Sequence, residues 1–282
     1  MGRTECDARN AERSAERDLL EARLDDAIAQ CERGAVARLA FLNPRDQKRA
    51  ERFLRARGAW EQAWLWGGYA EAERACLFLL PDYLLACLSA SVDACDAEEV
   101  CALLGEEVTD AVCAIRIKGS GYRTLMHRDF LGSVLGLGID RDAIGDIAVQ
   151  DPHTAVVFCP HTLGVFLKET LVKVGNDTVK CMDYTPDEQF TDGRNYRHIS
   201  DTVASERLDC VVAALCNFSR DDAQNAVRSG LVEVDFEPEE RVDFVLHAPV
   251  TISVRGQGRF ILRAFDGETR KGRLRLRADQ LI

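Results

Sequence analysis

Six segments between residues 111 and 184 decide the fold: AVCAIRI (111–117), HRDFLGSVLGL (127–137), IGDIAV (144–149), TAVVF (154–158), PHTLGVFLKETLVKV (160–174) and TVKCMDY (178–184). The first is a short apolar, β-branched run and reads as a strand, whereas His127 to Leu137 reads as a helix stopped at Gly138. Ile144 to Val149 and Thr154 to Phe158 are two strands joined by the turn residues Asp151-Pro152. Pro160 sits near the start of a second helix and Gly175 just past its end; Thr178 to Tyr184 is a closing strand. The resulting order, βαββαβ, predicts a split βαβ plait of the ferredoxin-like kind.

Outward from this plait, residues 5–40 are rich in Ala, Arg, Glu and Leu, and Leu20, Leu24, Ile28 and Cys31 recur at helical spacing, which predicts one long amphipathic helix. Asn43-Pro44 supplies a cap and a first-turn proline for a helix ending near Gly58. Ala59 to Tyr69 reads as extended and aromatic, and Cys76 to Leu80 as a buried strand closed by Pro81-Asp82. On the other side, Thr185 to Ser200 is polar and reads as a linker. Ser205 is expected to cap a helix striped by Leu208, Val211, Val212 and Leu215; Ser219 caps a second, stopped by Gly230. Short strands follow at Leu231–Phe236, Val250–Val254, Phe260–Phe265 and Leu274–Arg277. The expected fold class is α+β in three parts: a mixed domain over 1–105 with a long first helix, the plait over 106–185, and helices feeding a small sheet over 200–282.

Composition bounds the function. The 282 residues are 46% hydrophobic and 29% charged, with a formal charge of -11, so a globular protein is expected and a polyanion binder working by overall charge is excluded. Any nucleic-acid role must lie on a local patch. The eleven cysteines are odd in number and contain no CxxC pair, and Met1 to Leu20 has no apolar signal segment. Both point to a reducing cytoplasm. The longest apolar stretch, Ala75 to Val92, is broken by Pro81 and Asp82, so no membrane span is expected.

One candidate patch lies near the end of the chain. Between Arg255 and Arg277 eight basic residues face only Asp266 and Glu268, and Arg273, Arg275 and Arg277 alternate with Leu274 and Leu276. Alternation puts those three charges on one side of a strand, as a strip for RNA phosphates. The plain alternative is a solvated face. Residues 203–282 as a whole carry 12 basic and 13 acidic side chains, so the region is not basic overall.

The same region resembles the S4 RNA-binding domain through Arg207-Leu208-Asp209, Leu215, Ser219-Arg220, Ala223, Gly230, Val232 and Val234. More widely, Phe41-Leu42-Asn43-Pro44-Arg45, Gly67-Gly68-Tyr69, Ala72-Glu73-Arg74, Pro81-Asp82-Tyr83, His127-Arg128-Asp129, Gly136-Leu137-Gly138-Ile139, Gly145-Asp146-Ile147 and Arg255-Gly256-Gln257-Gly258-Arg259-Phe260 resemble the bacterial YlmH family, in order and over nearly the whole chain. The resemblance implies an amino-terminal domain, an RRM-like plait and a terminal S4 domain. It also implies a cytoplasmic, ribosome-associated role on the rRNA and tRNA of the large subunit, in quality control of stalled nascent chains beside a tailing factor.

In such a module Arg207, Arg220 and Arg228 would face one groove and hold phosphate oxygens, with amides at the Ser219 helix start as a second anion site and Arg255 and Arg259 in support. The alternative is that these arginines pair with Asp209, Asp221 and Asp222. Asp221, Asp222 and Gln224 stand where relatives commonly carry basic residues, and Ala248-Pro249 replaces the usual Gly-Asp turn, so binding is expected to be weaker and more dependent on geometry than that of a basic relative. Other motifs are set aside. His127-Arg128-Asp129 lacks the rest of a kinase loop, Gly136-Leu137-Gly138 is a helix stop, and His153, Cys159 and His161 match no zinc spacing. No catalytic constellation and no cofactor are expected. The rivals are an S4-linked RNA-modifying enzyme and an acidic protein-interaction adaptor.

Overall fold

The computed structural model describes residues 18–187 and 190–282, which divide between Gly193 and Arg194 into two compact units. In the first, residues 18–32 are helical (α1) and bury the expected stripe of Leu20, Leu24, Ala27 and Cys31. The helix does not run on to residue 40. Gly34 turns the chain at φ +83°, and Ala37–Leu42 is a strand (β1) whose Ala37, Leu39 and Phe41 are buried while Arg38 is exposed. Period two has replaced the helical period there. The part of the expected helix over residues 5–17 lies outside the described residues.

The helix α2 spans Pro44–Arg57, with Asn43 Oδ1 accepting the Asp46 N–H at 3.0 Å and Gly58 ending it in the left-handed region. Strands β2 (Ala63–Trp66) and β3 (Ala75–Leu79) complete an antiparallel sheet of order β1-β3-β2. Every residue of β3 is buried because the sheet is covered on both sides. Leu77 and Leu79 face α1 and α2, whereas Cys76 and Phe78 join a second cluster that includes Ala114, Val156 and Phe158. Short helices α3 (Asp82–Leu85), α4 (Ala97–Leu104) and α5 (Glu106–Ala111) lead to that second layer.

It consists of β4 (Cys113–Gly119), α6 (His127–Leu135), β5 (Ile147–Asp151), β6 (Thr154–Cys159), α7 (His161–Thr170), β7 (Lys173–Val174) and β8 (Asp177–Tyr184). The sheet order is β5-β6-β4-β8-β7, antiparallel throughout. Ile115, Ile117, Val157 and Val179 lie beneath α6 and α7 in one cluster, and the opposite face packs on the first sheet. Gly68, at φ +101°, lets the chain lie against Phe158, since a Cβ there would come within 2.4 Å of the ring. Part of the expected linker is also packed. Phe190 closes an aromatic group with Tyr69 (5.0 Å), Phe158 (5.6 Å) and Tyr184 (6.2 Å).

In the second unit, Tyr196–Val203 is a strand (β9) where linker was expected, because it pairs over its full length with β14. Helices α8 (Leu208–Cys216) and α9 (Arg220–Arg228) precede β10 (Val232–Val234), β11 (Glu237–Pro238), β12 (Val250–Val254), β13 (Gly258–Glu268) and β14 (Leu274–Leu281). The sheet order is β11-β10-β12-β13-β14-β9. Ile252, Phe260, Leu262, Leu276 and Ala278 form one core with Leu208, Val211, Val212, Ala223 and Val227 of the helices. No helix among the described residues is long and apolar enough to cross a membrane.

Candidate nucleic-acid interface

The start of α8 is held from outside the helix. Leu208 N–H donates to Phe244 O (2.8 Å) and Asp209 N–H to Val242 O (3.2 Å), so carbonyls of a distant segment satisfy the amides that Ser205 was expected to cap. Arg207 occupies the cap position and Asp209 is fully buried. A buried carboxylate is tolerated only when paired. Arg207 Nε and Nη2 donate to its two oxygens at 3.0 and 3.2 Å, Gln224 Nε2 donates at 2.9 Å, and Arg220 Nε stands 3.5 Å away. Burial pushes the Asp209 carboxyl up, but the hydrogen bonds from Arg207 and Gln224 outweigh it and hold the group below the ordinary carboxylate range.

Arg228 Nη2 donates to Gln224 Oε1 at 3.2 Å, and residues 220, 224 and 228 share one stripe of α9. The fold therefore brings Arg207, Arg220 and Arg228 onto one surface around Asp209. Side chains 36% and 61% exposed leave Arg207 and Arg220 with outward donors. Ser219 caps α9 instead of standing ready for an anion: its Oγ accepts the Asp222 N–H (3.1 Å) and donates to Asp222 Oδ2 (2.6 Å).

The arginines of the last strand lie elsewhere. Leu276 and Ala278 point into the core shared with the helices, so alternation turns Arg275 and Arg277 to the opposite face of the sheet. The strip is thus not beside the helices, as expected, but behind the sheet. On that face Arg277 forms an ion pair with Asp266, which pushes its pKa up, and Arg263 Nε and His198 Nδ1 reach the Asp279 carboxylate at 2.7 and 2.6 Å. Arg259 lies over the Phe236 ring at 5.1 Å; Arg255 and Arg275 are exposed.

Arg273, just before β14, bonds Thr202 through Nε (3.1 Å) and reaches round the edge strand, where it lines a groove of about 310 Å³ with Arg220, Asn217 and Asp201. It joins the helix-side set. The sequence did not single out Gln224 as a relay, nor Arg263 and His198 as partners of Asp279. Strand alternation carried the Arg263 signal, whereas β9 gave none while it read as linker. His153, Cys159 and His161 do not converge. Cys159 is fully buried with its Sγ 4.0 Å from that of Cys113, and no metal-ligating group of three gathers among the described residues.

The family described as "Putative RNA-binding domain in YlmH" matches residues 111–188. Over 211 residues the chain is 26% identical to the ribosome-associated protein quality control protein P2 of Bacillus subtilis (strain 168), covering 74% of each. The YlmH resemblance holds. A solved structure of the cell division protein ylmH from Streptococcus pneumoniae aligns with a TM-score of 0.44 at 18% identity, over 60% of this chain and 91% of that one.

Several YlmH-type motif blocks meet inside the first unit and are structural there. Asp146 accepts from Tyr69 OH (2.6 Å), Glu73 N–H (2.7 Å) and Arg74 N–H (3.1 Å). Arg74, itself buried, donates to Ile144 O (3.0 Å), Phe41 O (3.3 Å) and Asp142 (2.9 Å). Four of those blocks, with Asp142 and Ile144, are thereby bolted into one joint between the first sheet and the five-stranded sheet. His127 and Asp129 open α6, where Asp129 accepts the Met126 N–H at 2.8 Å.

Proposed function

We propose that this chain binds RNA in ribosome-associated quality control, docking on rRNA and tRNA of large subunits that carry stalled nascent chains, with a tailing factor as partner. In this reading residues 106–185 are an RRM-like plait, 200–282 an S4 RNA-binding domain and 1–105 an amino-terminal domain; the protein works in the cytoplasm, without catalysis or cofactor. The observation that carries it is the 26% identity, reaching 74% of both chains, to a protein named for that process.

The geometry supports it. Arg207, Arg220, Arg228 and Arg273 form a helix-side set in which Asp209, Gln224 and Thr202 fix the guanidinium planes, and fixed planes suit bidentate grip of phosphate oxygens. Arg255, Arg259, Arg275 and Arg277 form a second set. Such contacts position a protein on RNA shape without reading sequence, and they weaken steeply with salt. Sedimentation with large subunits bearing peptidyl-tRNA is the test. Arg220→Gln/Arg228→Gln, which spares the Arg207–Asp209 pair, is expected to lose co-migration, and co-migration equal to wild type removes the helix-side set. RNase digestion that leaves the complex intact would favour a protein adaptor.

A further inference from the structure

In an RRM-like plait the sheet face opposite the helices is where bases would stack, but here Ala114, Val156 and Phe158 on that face are buried beneath the first sheet and Tyr69. What stays open is the margin formed by the far ends of β4, β8 and β7. Register puts Lys118 directly opposite Lys180 and Arg116 opposite Met182, with Lys173 opposite Thr178. All lie on the face away from α6 and α7. The three lysines are exposed, and no side-chain hydrogen bond or ion pair engages them among the described residues. Arg116 lies 3.9 Å over the Tyr184 ring.

Alternation along β8 separates the charges by sign. Thr178, Lys180, Met182 and Tyr184 face the margin, whereas Asp177 and Asp183 face the helices, the first holding Ser120 and the second Lys168 (2.7 Å). On the margin's own face the carboxylate in register is Asp151, at the hairpin corner beside Thr154, where it accepts the His153 N–H at 2.7 Å. Like charges directly opposite across a strand pair destabilise the free protein. A cross-strand Lys–Lys pair beside an arginine and a third lysine is therefore relieved when an anion lies across it. The loop after β4 carries Tyr122, which is 93% exposed, and Arg123, which stands near Asp177.

We propose that Arg116, Lys118, Lys173 and Lys180 form a second RNA contact, in which the margin of the plait sheet tracks a phosphate backbone and the ring of Tyr122 stacks on a base. The contact rests on the RNA-binding reading above but uses none of the residues of the second unit. It accounts for an RNA-binding plait with only one aromatic, buried, on its third strand: binding has moved from the middle of the sheet to its edge.

The test is fluorescence anisotropy of the full chain with a labelled RNA hairpin and a labelled polyuridine strand, across a salt series. Lys118→Gln/Lys180→Gln is expected to weaken binding about 10-fold and to flatten the salt dependence by about 1.5 in log–log slope, as two phosphate contacts are lost. Lys180→Glu is expected to weaken RNA binding while raising the melting temperature, because it turns a repulsive cross-strand pair into an attractive one. Affinity and slope equal to wild type in both variants, with Arg220→Gln/Arg228→Gln losing binding, overturn the margin contact and leave the RNA-binding reading standing. Absence of binding by the wild-type chain to either RNA overturns both.

Discussion

In the five-stranded sheet of the first unit, α6 and α7 cover one face and the β1-β3-β2 sheet covers much of the other, leaving an edge of lysines with no carboxylate partner among the described residues. In the six-stranded sheet of the second unit α8 and α9 cover one face, and the opposite face carries Arg263 and Arg277 already paired with Asp279 and Asp266. The second region thus has more arginine, and the first has less charge that is nonetheless unneutralised. Counting basic residues favours the second, but internal carboxylates there already hold Arg263 and Arg277 while leaving Arg255 and Arg275 exposed, whereas none among the described residues holds the margin lysines. What an RNA phosphate meets is the charge left over after internal pairing.

The largest effect that sharpens this comparison is expected at Phe158, which packs between the five-stranded sheet and the first sheet. Phe158→Ala should cost about 3–5 kcal/mol in denaturant unfolding and lower amide protection in β3 as well as β6, with the second unit unaffected. Unchanged protection in β3 would show that residues 1–105 and 106–185 unfold as independent domains. Next in size is Arg207→Ala, which removes the main partner of the buried Asp209. A smaller loss of stability from the second unit is expected, read by the same titration, whereas Lys118→Ala should cost nothing measurable.

A smaller effect concerns acid. Asp209 and Asp279 are both held below the ordinary carboxylate range, burial opposing and the hydrogen bonds from Arg207 and Gln224, or Arg263 and His198, prevailing. A carboxyl with a depressed folded pKa contributes stability that is present above its unfolded value, about 3.9, and is lost as pH falls through the folded value. Thermal melts from pH 5 downward should therefore show the second unit losing stability below about pH 4, and the Asp209→Asn variant should show a flatter loss. Smallest is Asp266→Asn, which frees Arg277. RNA affinity measured by anisotropy is expected to rise about twofold with stability almost unchanged, since exposed ion pairs contribute little. An affinity that stays flat would mean the open face of that sheet meets no phosphate.

Much of the fold was legible. The six segments over 111–184 form the strands and helices read from their periods, and Asn43, Gly58, Ser219 and Gly230 act as the caps and stops their chemistry implies. These are local properties, set within a turn or two of the backbone. The readings that changed were those where a distant partner decides. β9 is a strand because β14 lies beside it, and Ser205 is not a cap because Phe244 and Val242 supply the acceptors. β1 took the period of a sheet that a helix-rich composition hid.

The sequence by itself determined the order of elements, which residues alternate, and that any anion-binding surface must be local in a chain of net charge -11. Only the tertiary structure decided which charges remain available, because pairing is a matter of ångströms: it buried Asp209 among Arg207, Arg220 and Gln224, sent Arg275 and Arg277 to the far side of their sheet, and set Lys118 against Lys180. Strand alternation is written in the chain, but which face is covered depends on what packs there, and Coulomb energy falls off with a distance that no linear sequence contains.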